Sequence, residues 1–270
     1  MVHPAKILAE LGIHPAKALG QNFLVEFDSI LPWIPQLKPD DTVLEIGPGL
    51  GGVTNFVKDH VKKIILVEKD FRLAEYLKKQ FPDIDVLRED ILNIKKEFIT
   101  NHQINVVIGN LPFYITTPIL EKCFVQWGIS LGIFGVQKEF AERLLASHGN
   151  SLAIFFSQLA NIQKVSSIPA NAFYPKPKVD ASWIVMEKRK PAVDIKRWEL
   201  LLRGSFWGKR KSLKNAFLKN PHWSSQKFTE SWKQKILTYP PPLDLNRRAD
   251  SLSVEEFLIL YNWLNDNTNK

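Results

Sequence analysis

The sequence predicts an α/β fold, a doubly wound and mostly parallel sheet followed by a small all-α domain. Three observations predict it. Short, continuously apolar runs alternate with segments of helical spacing through the first two-thirds of the chain. A glycine-rich turn joins the first of those runs to a helix, and after Lys190-Pro191 only helical spacing remains. Continuous apolar strands separated by helices belong to a parallel sheet covered on both faces, whose ligands bind beyond the C-terminal strand ends.

Thr42–Ile46 is the first strand and runs into Gly47-Pro48-Gly49-Leu50-Gly51-Gly52. Val53–His60 has helical character, and Lys63–Val67 is a second buried strand ending at Glu68. Phe71–Gln80 puts Leu73, Tyr76 and Leu77 on one helical face. Asp85–Leu87 is a third strand before Glu89-Asp90, and Asn105–Ile108 a fourth before Gly109-Asn110. A helix over Pro118–Val125 leads to a fifth strand, Leu131–Val136. Between Ala160 and Arg189, β-like runs around Val165 and Trp183–Met186 flank Phe173-Tyr174-Pro175-Lys176-Pro177-Lys178, which suits antiparallel strands closing the sheet. Four helices are expected thereafter: Ile195–Trp207, Ser212–Leu218, Ser225–Leu237 and Val254–Leu264, the last capped by Ser251 or Ser253. The expected domains are therefore 1–190, the catalytic body, and 191–270, a helical and basic module.

The 270 residues are 45% hydrophobic and 24% charged, as in a soluble globular protein, and no apolar run approaches a membrane span. The N-terminus lacks the apolar core of a secretory signal. Cys123 is the only cysteine, so an internal disulfide is excluded and a reducing, cytoplasmic setting is expected. The six histidines show no ligand spacing, so no metal is expected. Net charge is +8, yet residues 188–270 carry +9 and residues 1–187 carry −1. A neutral body with a basic appendage suits a polyanionic partner, a solvated basic surface being the plainer alternative.

Glu45-Ile46-Gly47-Pro48-Gly49-Leu50-Gly51 lies at a strand–helix junction, where glycines let the backbone turn and approach a ligand over a helix N-terminus. Gly47, Gly49 and Gly52 satisfy G-x-G-x-x-G, with Glu68 placed to grip a ribose diol. This loop alone leaves a nicotinamide dinucleotide and S-adenosylmethionine both open. Asn110-Leu111-Pro112-Phe113, after the fourth strand, favours the second. Adenine's exocyclic amine is a poor nucleophile because its lone pair is delocalised into the ring. The Asn110 side-chain oxygen and the Leu111 carbonyl can accept its hydrogens and turn the lone pair toward a sulfonium methyl. Phe113 can stack on the base. Asp90, at a strand end, reads either as a ligand to the cofactor or as a helix cap.

Together these motifs resemble the ribosomal RNA adenine N(6)-dimethyltransferase family, and within it the bacterial small-subunit enzymes of KsgA/RsmA type. The resemblance is carried by Gly20-Gln21-Asn22-Phe23-Leu24, the E-I-G-P-G-L-G loop, Val67-Glu68, Glu89-Asp90-Ile91-Leu92 and Asn110–Tyr114. It continues through Gln137-Lys138-Glu139 with Arg143, Phe173–Asp180, and F-W-G-K-R-K-S-L-K-N from Phe206 to Asn215. The position of Phe113 is usually tyrosine in the family. The resemblance implies a Rossmann-like class I S-adenosylmethionine-dependent sheet and successive methylation of two adjacent adenosines. These lie in a hairpin near the 3′ end of small-subunit (16S) rRNA, within an assembling subunit. It implies that Asn22 and Leu24 contact the cofactor and that Gly47, with Gly49, lies beneath its methionine end. It further implies that Glu68 holds the ribose, Asp90 the adenine amine, and Asn110 both cofactor and target.

Lys209, Arg210, Lys211 and Lys214, beside Phe206 and Trp207, are expected to meet phosphate, as are Lys176 and Lys178 near the rim of the site. Rival readings are a large-subunit dimethyltransferase that confers antibiotic resistance and a non-catalytic RNA-binding assembly or transcription factor on the same fold. A monomer is expected.

Overall fold

The computed structural model describes residues 2–16, 20–208, 210–221 and 227–266. In chain order the elements are α1 (Pro4–Glu10), β1 (Phe23–Leu24), β2 (Thr42–Ile46), α2 (Gly52–Val57), β3 (Lys63–Glu68), α3 (Phe71–Gln80), β4 (Asp85–Arg88) and α4 (Lys96–Asn101). They continue with β5 (Val106–Asn110), α5 (Thr116–Glu121), β6 (Leu131–Gln137), α6 (Lys138–Leu145), α7 (Ser151–Phe156), β7 (Ala160–Ile168), β8 (Phe173–Tyr174) and β9 (Ala181–Lys188). The rest is helical: α8 (Ile195–Ser205), α9 (Leu213–Lys219), α10 (Lys227–Thr238) and α11 (Val254–Asn265). The chain divides into two compact units, Met1–Ala141 with Ala160–Lys188, and Glu142–Leu159 with Arg189–Lys270.

The first unit holds a seven-stranded sheet in the order β4-β3-β2-β5-β6-β9-β7. The strands from β4 to β6 are parallel, and β9 runs antiparallel between β6 and β7, with a bulge between Lys164 and Ser166. The chain moves outward from β2 to β4, then returns to lay β5 on the other side of β2. That reversal is the switch point beyond which open α/β sheets bind ligands. Successive strand residues face opposite sides, and both sides are covered. Val43, Ile64, Leu66, Val106, Ile108, Ile133, Trp183 and Val185 belong to one buried cluster with Val57, Leu77 and Trp33. Their neighbours Leu44, Ile65, Val107, Phe134, Ile184 and Met186 are buried too. This double burial is why the strands read as unbroken apolar runs. A two-stranded ribbon, β1 with β8, pairs Phe23 with Tyr174 and Leu24 with Phe173.

The second unit packs Trp198, Leu201, Leu202, Phe217, Trp232, Phe257, Leu260 and Leu264 into one core. Ile154 of α7 belongs to that core, and the Trp198 indole N–H donates to its carbonyl at 3.3 Å. Residues 142–159 therefore pack with the C-terminal helices, whereas a single boundary near Pro191 assigns them to the first domain. Of the two serines considered for the cap of α11, Ser253 does the work. Its hydroxyl accepts from the Glu256 N–H while the Glu256 carboxylate accepts from its own N–H.

Several local expectations shift. The helix after the glycine loop ends at Val57 rather than His60. The expected helix over 118–125 is α5 followed by a π-helical stretch, Lys122–Trp127. Four helices, α1, α4, α6 and α7, have no counterpart in the periodicity reading. Helix α7 is the instructive case, because S-L-A-I-F-F is apolar nearly throughout and buries Ala153, Ile154 and Phe156. A short buried run of this kind shows no helical face.

If residues 142–159 are structurally part of the C-terminal unit, Ile154→Ala should cost about 2–5 kcal/mol, as for a core truncation. Hydrogen exchange should then quicken in α8 and α11 and stay unchanged in β2, β3 and β5. Loss of protection centred on the sheet would place Ile154 with the other core.

Candidate active site

A cleft of about 440 Å³ opens at the C-terminal ends of the parallel strands. Strand β2 delivers Glu45, Ile46 and Gly47 to it; β3 delivers Glu68; the end of β4 leads to Asp90; and β5 delivers Asn110. Four segments far apart in sequence converge because the strands are in register, Glu45 beside Leu66 on one side and Ile108 on the other.

Gly47 has φ +60° and nothing within 4 Å of the position that a Cβ would take. The left-handed conformation favours glycine, and the open space beside it is available to a ligand. Glu68 is buried; Oε2 accepts from the Gly49 N–H at 3.2 Å and Oε1 from the Asp70 N–H at 2.9 Å. Burial raises its pKa against the lowering effect of those two donors. Two main-chain donors fix the carboxylate while each oxygen keeps lone-pair capacity for a hydroxyl. Glu45 lies deeper, at 1% exposure, and accepts from Thr54 Oγ1 at 2.7 Å. Burial pushes its carboxyl up to about 8, with the charge of Glu68 adding to the effect.

Asp90 is a cap and also lines the cleft. Its Oδ1 caps the following 3-10 turn through the Leu92 N–H at 2.9 Å, and the side chain lines the cleft. Its Oδ2 lies 2.8 Å from Lys69 Nζ. Burial alone would raise this carboxyl; the Lys69 ammonium and the Leu92 N–H hold it below its ordinary range.

Asn110 shows the least ordinary geometry. Its Nδ2 donates to the Asn22 carbonyl at 3.2 Å, which settles the orientation of the carboxamide. Oδ1 is then buried with no hydrogen-bond partner among the described residues. An unsatisfied buried acceptor costs about 1–3 kcal/mol, and at a ligand cleft it marks a place for a donor. A Cβ on Gly135, the register partner of Asn110 on β6, would lie 2.8 Å from that oxygen. Gly135 thus makes room for the carboxamide. Leu111 is buried, and its N–H donates to the Gly135 carbonyl at 2.9 Å, so its possible contribution to the site is through the main chain.

Against this geometry the family model for ribosomal RNA adenine dimethylase matches residues 14–266. The chain belongs to this family. A relative named probable ribosomal RNA small subunit methyltransferase A, from Thermococcus sibiricus, is 32% identical over 93% of this chain and 92% of its own. The ribosomal RNA small subunit methyltransferase A of Geobacillus sp. is 32% identical over 96% and 94%. Among solved structures, a dimethyladenosine transferase from Plasmodium falciparum superposes with a TM-score of 0.70 at 25% identity, over 88% of this chain and 95% of that one. The 23S rRNA methyltransferase ErmE shares the fold, with a TM-score of 0.68 at 23% identity over 91% and 100%.

S-adenosylmethionine is the cofactor of this methyltransferase class, and the cleft of this family member fits it on its own atoms. The Gly47 position is open, the Glu68 carboxylate is presented from a fixed main chain, and Asn110 Oδ1 awaits a donor. Of the expected cofactor residues, Asn22, Leu24, Gly47, Gly49, Glu68, Asp90 and Asn110 all line the cleft. Asn22 does so through its place in the loop, since its own Nδ2 is turned back to the Gly20 carbonyl at 3.2 Å. Of the expected catalytic residues, Asn110 and Pro112 line it, whereas Phe113 is half-buried in a 3-10 turn and Tyr114 takes the place on the wall.

Lys176 and Lys178 are exposed after β8 and do not line the cleft. In the second unit Arg210 and Lys211 line a separate hollow of about 480 Å³ with Lys219, Asn246 and Arg248. Lys211 Nζ lies 3.5 Å from the centre of the Trp207 ring. Lys214 is exposed beside this hollow in sequence but does not line it, and Lys209 lies outside the described residues.

Sequence reasoning missed Gln21, Lys69, Gly135 and Arg248. Gln21 ties the Asn22 loop to the head of α3, donating to Asp70 Oδ2 at 3.1 Å. Gly135 carried a usable signal, since a glycine inside an apolar strand marks a close approach.

The Glu45 carboxyl yields a pH prediction. Its ordinary pKa near 4.5 rises to about 8 on folding, so between those values the unfolded chain has released a proton that the folded chain keeps. Stability from this group is therefore present below about 4.5 and is lost as pH rises toward 8. Glu45→Gln retains an acceptor for Thr54 and should flatten that decline. Thermal unfolding midpoints of the two proteins should converge near pH 5 and separate by pH 8, with the variant higher; parallel curves would contradict the assignment.

Proposed function

We propose that this chain uses S-adenosylmethionine to dimethylate the N6 amines of two adjacent adenosines. The target is a hairpin near the 3′ end of 16S rRNA in an assembling small subunit, and the protein acts as a cytoplasmic monomer. The observation that carries the reading is the carboxamide of Asn110, anchored through its nitrogen to Asn22 and left with a buried, unpartnered oxygen beside a ribose-type carboxylate. The names of the Thermococcus and Geobacillus relatives support the choice of the small-subunit RNA. No helix among the described residues is long and apolar enough to cross a membrane.

The bound cofactor supplies an electrophilic methyl group on a sulfonium. Glu68 would accept from the ribose hydroxyls and Asp90 from the adenine amine, and Asn22, Leu24, Gly47 and Gly49 would shape the wall around the rest. Asn110 Oδ1 and the Leu111 carbonyl accept the two hydrogens of the target amine. That draws the lone pair out of conjugation with the ring and aims it at the methyl carbon. Pro112 holds the turn, and Phe113 stacks on the adenine once it has swung out of its helix. When bound, S-adenosylmethionine would supply the methyl group to that nitrogen and leave as S-adenosylhomocysteine with the sulfur–carbon bonding pair. The methylated ammonium is acidic enough to lose its proton to water, so no strong base is required of the protein. A second round asks the same acceptors to hold one hydrogen fewer.

Arg210, Lys211, Lys219 and Arg248 concentrate positive charge in one hollow of the C-terminal unit. We assign it, with Lys209, Lys214, Lys176 and Lys178, to the phosphates of the RNA. Trp207 braces Lys211 through a cation–π contact.

Asn110→Ala should slow methyl transfer about a hundredfold or more at saturating cofactor, the scale of losing a preorganised contact. Gly135→Ala, which pushes on the same oxygen without removing it, should slow it in the same sense. RNA binding should persist in both. Single-turnover transfer into undermethylated small subunits reads the rate, and mapping of dimethyladenosine distinguishes 16S from 23S RNA. A normal rate in Asn110→Ala would refute the mechanism.

Neutralising Arg210, Lys211 and Arg248 together should weaken RNA binding and reduce the slope of log affinity against log salt by about one for each lost phosphate contact. Cofactor affinity should be unchanged. An unaltered slope would make the hollow an ordinary solvated surface.

A further inference from the structure

The aromatic residue on the cleft wall is Tyr114, not Phe113. Tyr114 is 58% exposed, an unusual position for a large ring in the loop that carries the reacting groups. One edge of the ring is near Gly20, where an added Cβ would stand 3.7 Å from Tyr114 Cε1. The phenol also lies within electrostatic range of the Lys69 ammonium, which is bonded to Asp90. Gly20 and Lys69 both line the cleft, one preceding β1 and the other following β3. The loop from Pro112 then enters α5, which packs beside the turn that Asp90 caps.

From this arrangement we infer that Tyr114 roofs the cleft between Gly20 and Lys69 and lays its ring on the adenosine part of the bound cofactor. The inference rests on the reading of the cleft as an S-adenosylmethionine site. Three features point to the nucleoside rather than the RNA base. Lys69, whose ammonium feels the Tyr114 phenol, is bonded to Asp90 at the end of the cleft assigned to the cofactor's adenine. Gly20, packed against Pro112 and Tyr114, leaves that flank of the ring free of a side chain. Phe113, next in the chain, is half-buried and does not line the cleft, so Tyr114 is the aromatic of this loop that a cofactor in the cleft would meet. Lys69 is then a positioning residue, holding Asp90 with its ammonium while facing the phenol.

The test is calorimetric titration of the full chain with S-adenosylhomocysteine in the absence of RNA. Tyr114→Ala should raise Kd about fivefold or more, the lower end of what a base–aromatic stack contributes. Tyr114→Phe should stay within about twofold of wild type, since the ring supplies the contact. Thermal unfolding and circular dichroism establish that each variant is folded. An unchanged Kd in folded Tyr114→Ala overturns the inference and leaves the functional reading intact. A Tyr114→Ala protein with normal Kd but a raised KM for the ribosomal particle also overturns it, moving the ring to the RNA base. Failure of the wild-type chain to bind S-adenosylhomocysteine would overturn both readings.

Discussion

Parallel pairing of β5 against β2, after the chain has travelled outward through β3 and β4, is the constraint on which the site depends. Adjacent strands lie about 4.8 Å apart, so the pairing brings the glycine turn after β2 and the Asn110 turn after β5 to the same edge. Strand β3 brings Glu68 to the other side of β2 at the same level. Shift β5 by one residue and Asn110 would face the opposite side of the sheet. The apolar residues on both faces of β5, Val106 and Ile108 against Val107, make that shift costly.

The local chemistry follows from that edge. A cleft at strand ends contains many main-chain donors, and they are directed at carboxylates: Gly49 and Asp70 at Glu68, Leu92 at Asp90. These contacts hold anionic acceptors in place at low cost in side-chain entropy. Asn110 is treated differently. Its nitrogen is satisfied by Asn22, its oxygen by nothing among the described residues, and Gly135 yields the space in which that oxygen lies. The strain of an unmet acceptor is thereby concentrated at one atom, where a reacting amine can relieve it.

The two units divide the work by charge. The sheet carries the neutral body and the cleft, while the helical unit holds all of the excess positive charge and gathers part of it around Arg210, Lys211, Lys219 and Arg248. A cleft lined by Glu45, Glu68, Glu89 and Asp90 beside the single ammonium of Lys69 suits a sulfonium cofactor, and a cationic hollow suits phosphate. Separate surfaces allow each to be tuned without disturbing the other.

Much of this was legible in the residues alone. The strands β2 to β6, the glycine turn, Glu68, Asp90 and Asn110 were identifiable because each depends on neighbours in sequence: apolar runs of strand length, turns that need glycine, polar residues at strand ends. The family resemblance added Asn22, which local reasoning reads as a cap, and its side chain is indeed turned back on Gly20. What tertiary structure decided was everything that depends on residues distant in the chain. Helix α7 joined the C-terminal core through Ile154, Gly135 proved to be the neighbour of Asn110, and Arg248, ahead of α11, came to line the same hollow as Arg210, ahead of α9. The choice between Phe113 and Tyr114 was of the same kind. Two consecutive aromatics are equivalent in a one-dimensional pattern, and only the turn that starts at Phe113 determines which ring faces the cleft.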